Sequence, residues 1–233
     1  MAPSQNRSVL PPAEDKPAVV EAMFDRIAED YERVNRVISL GLDRRWRRHA
    51  VDHLGLASGS LVLDLACGTG DMSRLLRAKG YAALGFDFSA NMLEHASGPN
   101  CLVRADVCML PLADGAADGI ACGFALRNLM DTSVFFSECA RVLRSGGRFA
   151  VLDAAQPTRA MARAGHSLWF GHVVPWLGAR MSEPAAYRYL SASTAYLPDQ
   201  RSLRSTVEEA GFTDVDVAGF ALGAVWRITA TKP

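Results

Sequence analysis

The sequence predicts an α/β fold built on a doubly wound, mostly parallel sheet. Three observations predict it. A short apolar run, Leu61-Val62-Leu63 and Leu65, ends in the glycine turn Cys67-Gly68-Thr69-Gly70 and leads into a helical pattern. Strand-like and helix-like stretches then alternate as far as residue 157. Near the C-terminus, residues 215–220 and 224–229 alternate apolar and polar side chains with period two, which reads as an antiparallel hairpin.

Taken in order, residues 1–16 are polar and Pro-rich, with no apolar core of a signal peptide, and are expected to form a disordered tail. One domain is expected over 17–233, opening with helices over 17–56. Val19, Val20, Met23, Phe24 and Ile27 recur at helical spacing, and Tyr31, Val34, Val37, Ile38 and Leu40 continue the face across a kink that Gly41 ends. Asp43 begins another helix with Trp46, Ala50 and Leu54 on one side. Arg44, Arg45, Arg47 and Arg48 crowd its first turns, either as a solvated face or as a patch for an acidic substrate group or lipid headgroups.

Residues 61–65 read as a strand buried on both faces. Asp71 is expected to cap the following helix, with Met72, Leu75 and Leu76 inward. Residues 81–87 form a second strand ending in Asp87, and Ser89 caps a helix carrying Met92, Leu93 and Ala96. Residues 101–106 form a third strand, again ending in an acid. Residues 119–124 form a fourth, followed by Ala125-Leu126-Arg127-Asn128. Asp131 caps a helix whose Phe135, Phe136, Cys139, Val142 and Leu143 face the sheet, Gly146-Gly147 stops it, and 149–153 is the fifth strand. Residues 158–195 break the alternation with Trp169, Phe170, Trp176, Tyr187 and Tyr189 among Gly and Pro. They read as a helical cap over the carboxyl edge of the sheet, the edge where such folds bind ligands. Residues 200–211 form the last helix.

Composition excludes several classes. Lys and Arg total 25 against 25 acids, so no net attraction to nucleic acid is implied. The five cysteines form no Cys-x-x-Cys pair and read as reduced core residues of a cytoplasmic protein. No Cys or His cluster has metal-ligand spacing, so no metal is expected. The longest weakly charged stretch, 164–179, is too short and too broken to span a membrane.

Strand, glycine turn and helix N-terminus together make a nucleotide-type corner. The dinucleotide pattern needs a third glycine where Ser73 stands. Asp64 and Asp71 flank the turn, and carboxylates there repel a pyrophosphate but favour a cation. S-adenosyl-L-methionine has a sulfonium, an ammonium, a ribose and an adenine, and no phosphate. Asp87, 19 positions after Gly68 at the end of the second strand, suits the ribose hydroxyls. Asp106, with Val107, suits the adenine, or else serves only its turn.

Several stretches together resemble the ubiquinone/menaquinone-biosynthesis C-methyltransferases. They are Met23-Phe-Asp-Arg-Ile-Ala-Glu-Asp-Tyr31 with Asn35, Ser39-Leu-Gly-Leu-Asp-Arg-Arg-Trp-Arg47 and Asp64-Leu-Ala-Cys-Gly-Thr-Gly-Asp71. Asp87 with Asn91-Met-Leu93, Leu126-Arg-Asn128, Arg141-Val-Leu-Arg-Ser-Gly-Gly-Arg148, Ala186-Tyr-Arg-Tyr-Leu-Ser-Ala-Ser193 and Pro198-Asp-Gln200 complete the set, over residues 19–233. The resemblance implies a Rossmann-like, seven-stranded sheet with an antiparallel last strand. It implies methyl transfer from S-adenosyl-L-methionine to a ring carbon of a demethylmenaquinol-type prenylated quinol. The implied cofactor-binding residues are Asp64, Ala66, Cys67, Gly68, Thr69, Gly70, Asp87, Phe88, Met92, Asp106, Val107 and Gly123. The implied catalytic residues are Arg127 and Asn128, joined by Asp87; a structural role for Arg127, pairing with Asp131, is the alternative. His166 and His172 are candidate bases of lower rank. A greasy tail implies transient contact with a membrane surface, and a homodimer is left open.

The chain departs from the family pattern in four places. Gly123 stands where a small polar residue is usual, before Phe124-Ala125. Asp153-Ala-Ala-Gln-Pro157 follows the fifth strand, Gly223-Ala-Val-Trp-Arg-Ile228 lies near the end, and Asp106-Val107 replaces Asn/Asp-Ala. The Gly223–Ile228 departure keeps in play a paralogue that methylates a secondary metabolite at C, O or N; a third reading is a cofactor-binding protein of the same fold that does not methylate.

Overall fold

A computed structural model describes residues 11–12, 15–97, 101–157, 169, 189–190 and 192–233. Seven strands form one sheet in the order β3-β2-β1-β4-β5-β7-β6. They are β1 (Leu61–Leu65), β2 (Ala82–Asp87), β3 (Leu102–Arg104), β4 (Ala117–Gly123), β5 (Leu143–Ala154), β6 (Thr213–Phe220) and β7 (Val225–Thr231). β1 pairs in parallel with both β2 and β4, so the strand order reverses beside β1. β7 lies antiparallel between β5 and β6, as the hairpin and the resemblance imply.

Period-two alternation divides the core. Leu63, Leu65, Ile120, Cys122, Phe149 and Val151 point to one face. There they meet α6 (Thr132–Val142) and α7 (Gln200–Glu209) through Phe135, Phe136, Cys139, Leu203 and Val207. Val62, Ala121 and Ala150 point to the other face, where α3 (Asp43–Leu54) and α4 (Asp71–Ala78) supply Ala50, Val51, Leu54, Met72 and Leu76. Phe136, Phe149 and Phe212 pack in series at 5.6 and 4.6 Å between ring centroids, the first pair tilted and the second edge to face. Truncating one such ring to alanine costs ~3–5 kcal/mol.

The remaining helices, α1 (Lys16–Ile27), α2 (Tyr31–Ile38) and α5 (Ala90–Glu94), lie at the carboxyl edge. Met23, Ile27, Met92 and Tyr189 form a separate small core that fixes α1 to α5. Among the described residues no helix is long and apolar enough to cross a membrane.

The structure corrects several local expectations. Gly70, not Asp71, is the N-cap of α4, because the turn needs its φ of 90°. Asp71 sits one position later and pairs with Arg74. Gly146-Gly147 does not stop α6: the helix ends at Val142, and β5 begins at once with Leu143. The sheet supplies hydrogen-bonding partners there, and Gly146 donates its N–H to the Lys232 carbonyl. Leu40 leaves the apolar face and is exposed. Lys16, assigned to the tail, is buried as the first residue of α1. Most of the expected cap, 158–168, 170–188 and 191, lies outside the described residues, as do His166, His172, and 1–10 and 13–14 of the tail.

Candidate active site

The parallel strands deliver their ends to one cavity of about 370 Å³. The turn after β1 starts it. Ala66 has a φ of 53° and Gly68 a φ of 54°, so the chain reverses without a side chain filling the corner at 68. Gly85 lets β2 pass beneath, since a Cβ there would stand 2.9 Å from the Cys67 sulfur.

Asp87 braces the turn. Its Oδ2 accepts the Gly68 N–H at 2.7 Å and its Oδ1 the Ser89 N–H at 2.9 Å. Each oxygen retains a second lone pair for a ligand hydroxyl. Burial raises the Asp87 pKa above the ordinary carboxylate value, with the two backbone N–H bonds working against it. Phe88 and Met92 follow on the cavity wall. Asp106 stands on the same wall with Val107, and its Oδ1 accepts the Cys108 N–H at 2.8 Å, so it also makes its turn.

Ten of the twelve residues expected at the cofactor thus line this cavity: Ala66, Cys67, Gly68, Thr69, Asp87, Phe88, Met92, Asp106, Val107 and Gly123. Gly70 and Asp64 do not line it. Gly70 turns the chain into α4. Asp64 is fully buried below the loop, where it accepts the Ser73 hydroxyl while its Oδ1 has no hydrogen-bond partner among the described residues. Desolvation raises its pKa to about 7, against the opposing pull of Ser73 and of Arg47.

Helix α1 forms the opposite wall through Pro17, Val20, Glu21 and Phe24. Lys16 Nζ donates to the carbonyls of Arg127 (3.2 Å) and Leu129 (2.8 Å) and lies 4.1 Å from the centre of the Tyr196 ring. Asp25 accepts the Ser89 hydroxyl, and Glu21 pairs with Arg104. From α2, Glu32 accepts from Thr69 Oγ1 at 2.8 Å and pairs with Arg74 at 2.7 Å.

A second cavity of about 490 Å³ adjoins the first, and Tyr31, Arg47 and Phe124 line both. Its wall is mainly apolar, with Ile38, Trp46, Leu190 and Val225 among the lining residues. Arg47 is the residue that sequence reasoning misplaced. Arg44, Arg45 and Arg48 are exposed, as a solvated helix face requires, but Arg47 is 5% exposed. Its guanidinium lies 4.8 Å from the centre of the Phe124 ring, and its Nε has no hydrogen-bond partner among the described residues. Gly123 makes room for it: a Cβ at 123 would stand 2.6 Å from Arg47 Nη1. Phe124 is held with a φ of 67° by its N–H bond to the Leu152 carbonyl. The usable signal was spacing, since Arg47 shares a helix face with Ala50, Val51 and Leu54 while its neighbours do not.

Arg127 and Asn128 lie on a single 3-10 turn, Leu126–Asn128, after β4. Asn128 lines the first cavity, and its Oδ1 accepts the Tyr189 hydroxyl at 3.3 Å. Arg127 lines the second. It pairs with Asp153, not Asp131, and also donates to the Phe124 carbonyl and the Ser193 hydroxyl. Asp131 caps α6 through the Ser133 N–H.

The chain is similar to known proteins along almost its whole length. The model of the ubiE/COQ5 methyltransferase family matches residues 12–232. A demethylmenaquinone methyltransferase of Roseiflexus sp. (strain RS-1) is 38% identical, over 97% of this chain and 98% of its own. One from Mycolicibacterium gilvum is 37% identical over 98% and 100%. The ubiquinone/menaquinone biosynthesis C-methyltransferase UbiE of Syntrophotalea carbinolica is 38% identical over 83% and 85%. Among solved structures, a SAM-dependent methyltransferase of Thermotoga maritima superposes with a TM-score of 0.65 at 19% identity, covering 91% of this chain and 99% of the other. A phosphoethanolamine N-methyltransferase of Haemonchus contortus, bound to S-adenosyl-L-methionine, gives 0.60 at 16% identity over 81% and 52%. At these identities the structural likeness speaks for the fold.

Proposed function

The chain belongs to the ubiE/COQ5 methyltransferase family, and on that premise we propose that it methylates a ring carbon of a demethylmenaquinol-type quinol with S-adenosyl-L-methionine as donor. The observation that carries this reading is the adjoining pair of cavities, one lined by Asp71, Asp87 and Asp106 and the other mainly apolar, that share Tyr31, Arg47 and Phe124 as wall.

The first cavity fits the donor on its own chemistry. Asp71, Asp87 and Asp106 all line it, a donor set that suits an ammonium and a ribose and disfavours phosphate. The glycine turn leaves space where a side chain would stand. Asp87 would take the ribose, Asp106 and Val107 the adenine, with Phe88 and Met92 packing against it. Bound there, S-adenosyl-L-methionine supplies a methyl group made electrophilic by its sulfonium.

The chain's own residues prepare the acceptor. A quinol carbon becomes nucleophilic when the neighbouring hydroxyl gives up its proton, and the oxygen then carries negative charge. The Arg47 guanidinium, buried in the wall common to both cavities, is suited to hold that oxygen, because a fixed cation needs no reorganisation. Arg127 and Asn128 are assigned to positioning the acceptor or a water that takes its proton. Asp153 and Ser193 hold Arg127 in one orientation. The apolar second cavity would take the prenyl chain. The names of the relatives favour this reading over a secondary-metabolite paralogue and over a protein that does not methylate.

The test is quinone profiling. Cells lacking the gene should accumulate demethylmenaquinone, and the restored gene should return menaquinone. An unchanged quinone profile, together with no product from purified protein, donor and demethylmenaquinol, overturns the assignment.

A further inference from the structure

Lys16 stands where a cation is poorly placed. It is the first residue of α1, at the helix end whose dipole is positive, and it is 6% exposed. Burial lowers its pKa below the ordinary lysine value, and no carboxylate among the described residues works against that. An apolar first residue would start α1 at less cost, so the folding of the helix does not call for an ammonium here. What the ammonium does is hold one turn of chain far away in sequence. Its Nζ donates to the Arg127 carbonyl at 3.2 Å and to the Leu129 carbonyl at 2.8 Å, the two that flank Asn128. Among the described residues no backbone N–H reaches either carbonyl. The same Nζ lies 4.1 Å from the centre of the Tyr196 ring, so two carbonyls and an aromatic face take the place of water around it.

The two polar side chains of this turn are not held alike. Arg127 is fixed on its own account. Its guanidinium pairs with Asp153 and donates to the Phe124 carbonyl and the Ser193 hydroxyl, and its backbone N–H donates to Asp153 Oδ2 at 2.7 Å. Asn128 has one side-chain bond among the described residues, and it is long: Oδ1 accepts the Tyr189 hydroxyl at 3.3 Å. That bond occupies the amide oxygen and leaves the Nδ2 donor for a ligand in the first cavity, which Asn128 lines. Where this donor stands is therefore set by the backbone over 127–129, and Lys16 grips that backbone on both sides.

We propose that Lys16 is a positioning residue for methyl transfer: by clamping the Arg127 and Leu129 carbonyls it sets the Asn128 amide against the reacting oxygen of the acceptor. Lys16 acts through Asn128, and its ammonium is spent on the two carbonyls and the Tyr196 ring. A slack turn displaces the amide, and a misplacement of about 1 Å costs up to about 100-fold in rate. The first residue of the helix that walls the first cavity thus prepares the group that meets the acceptor. That the oxygen belongs to a quinol rests on the reading given above; the hold of Lys16 on the turn does not.

Single-turnover kinetics, calorimetry and hydrogen exchange on the full chain test it. Lys16→Met keeps the buried stem and removes the donors. It should slow single-turnover methylation of demethylmenaquinol about 30-fold, while the affinity for S-adenosylhomocysteine changes less than about threefold. Lys16→Gln, which keeps an N–H donor on a shorter stem, should lose about fivefold with the same split, and it carries the test if Lys16→Met does not fold. Asn128→Ala should cost about as much as Lys16→Met, and the two together no more than about twice the larger single loss, because one residue acts through the other. The Asn128 and Leu129 amides, bonded to the Ala125 and Leu126 carbonyls, should exchange about tenfold faster in Lys16→Met, while those of residues 20–27 hold within about threefold. Circular dichroism matching wild type shows that the variants fold. An unchanged rate in Lys16→Met overturns the proposal, as do losses that multiply in the double variant. A fall in S-adenosylhomocysteine affinity equal to the fall in rate would make Lys16 an anchor of α1 alone and also overturns it. If wild-type protein methylates no quinol, the substrate reading fails, and exchange at 128 and 129 decides whether Lys16 holds the turn.

Discussion

The two cavities differ in how the chain makes them. The first is assembled mainly from successive strand ends, the turn at 66–69, Asp87–Met92, Asp106–Cys108 and Gly123–Asp131, with α1, Tyr31 and Arg47 opposite them. Each of those four pieces follows a recognisable strand and ends in a residue type with a local reason to be there. The second draws on the α2–α3 junction, Arg127, Ala154 and Pro157, Trp169, Leu190 and the loop 221–225. Its parts are apolar side chains of ordinary kind, brought together only by the fold. On the proposed reading, a donor site made by backbone turns is tied to the sheet, whereas an acceptor site made by scattered side chains is free to change with its substrate. Two of the four family departures, Asp153–Pro157 and Gly223–Ile228, reach the second cavity, while Gly123 and Asp106-Val107 line the first.

The shared wall is where the comparison breaks most sharply. Arg47→Gln should lower turnover about 100-fold or more while the affinity for S-adenosylhomocysteine changes less than about threefold. Single-turnover kinetics and calorimetry check this, and equal losses in both would place Arg47 in the donor site alone. Next in size, Asp87→Ala should weaken S-adenosylhomocysteine about 30-fold, the effect of removing charge-assisted hydrogen bonds. The KM for quinol should hold within about twofold, so a parallel loss would mean that the cavities are not separable.

The smallest effect lies beneath the donor loop and concerns stability alone. Asp64 is raised to about 7 in the fold, above the ordinary carboxylate value of 3.8. The folded chain therefore holds this proton more tightly than the unfolded one. The resulting stabilisation is complete below about pH 4 and is lost as the pH rises through 7. Asp64→Asn should flatten the fall in stability between pH 5 and 7 by ~1–2 kcal/mol, a Tm difference of about 4 °C. Superimposable profiles for the two proteins would show that Asp64 is ionised throughout.

Legibility in the sequence followed the same division. The glycine turn, Asp87, Ser89 and the strand ends could be read because their chemistry is local: a positive φ, a cap, an acid at a fixed distance from a loop. The hairpin was legible because alternation marks one buried face. Helix and strand limits at Val142–Leu143 were not, since pairing with β4 and β7 overrides two glycines. Arg47 was hidden by its neighbours: four arginines in five positions read as a solvated surface, and only packing against Gly123 and Phe124 separates one from the rest. Asp64 looked like a ligand because it precedes the turn, but the strand's alternation points its carboxyl inward to Ser73.

Helix α1 adds a kinetic consequence. It walls the proposed donor cavity and is joined to the sheet edge by polar ties that include Lys16 on two carbonyls, Asp25 on Ser89 and Asn91, and Glu21 on Arg104. A spent nucleoside leaving past this wall must part those ties and the small core around Met23 and Ile27. The residence time of the product then answers to the grip of one N-terminal helix, a quantity set far from the reacting carbon.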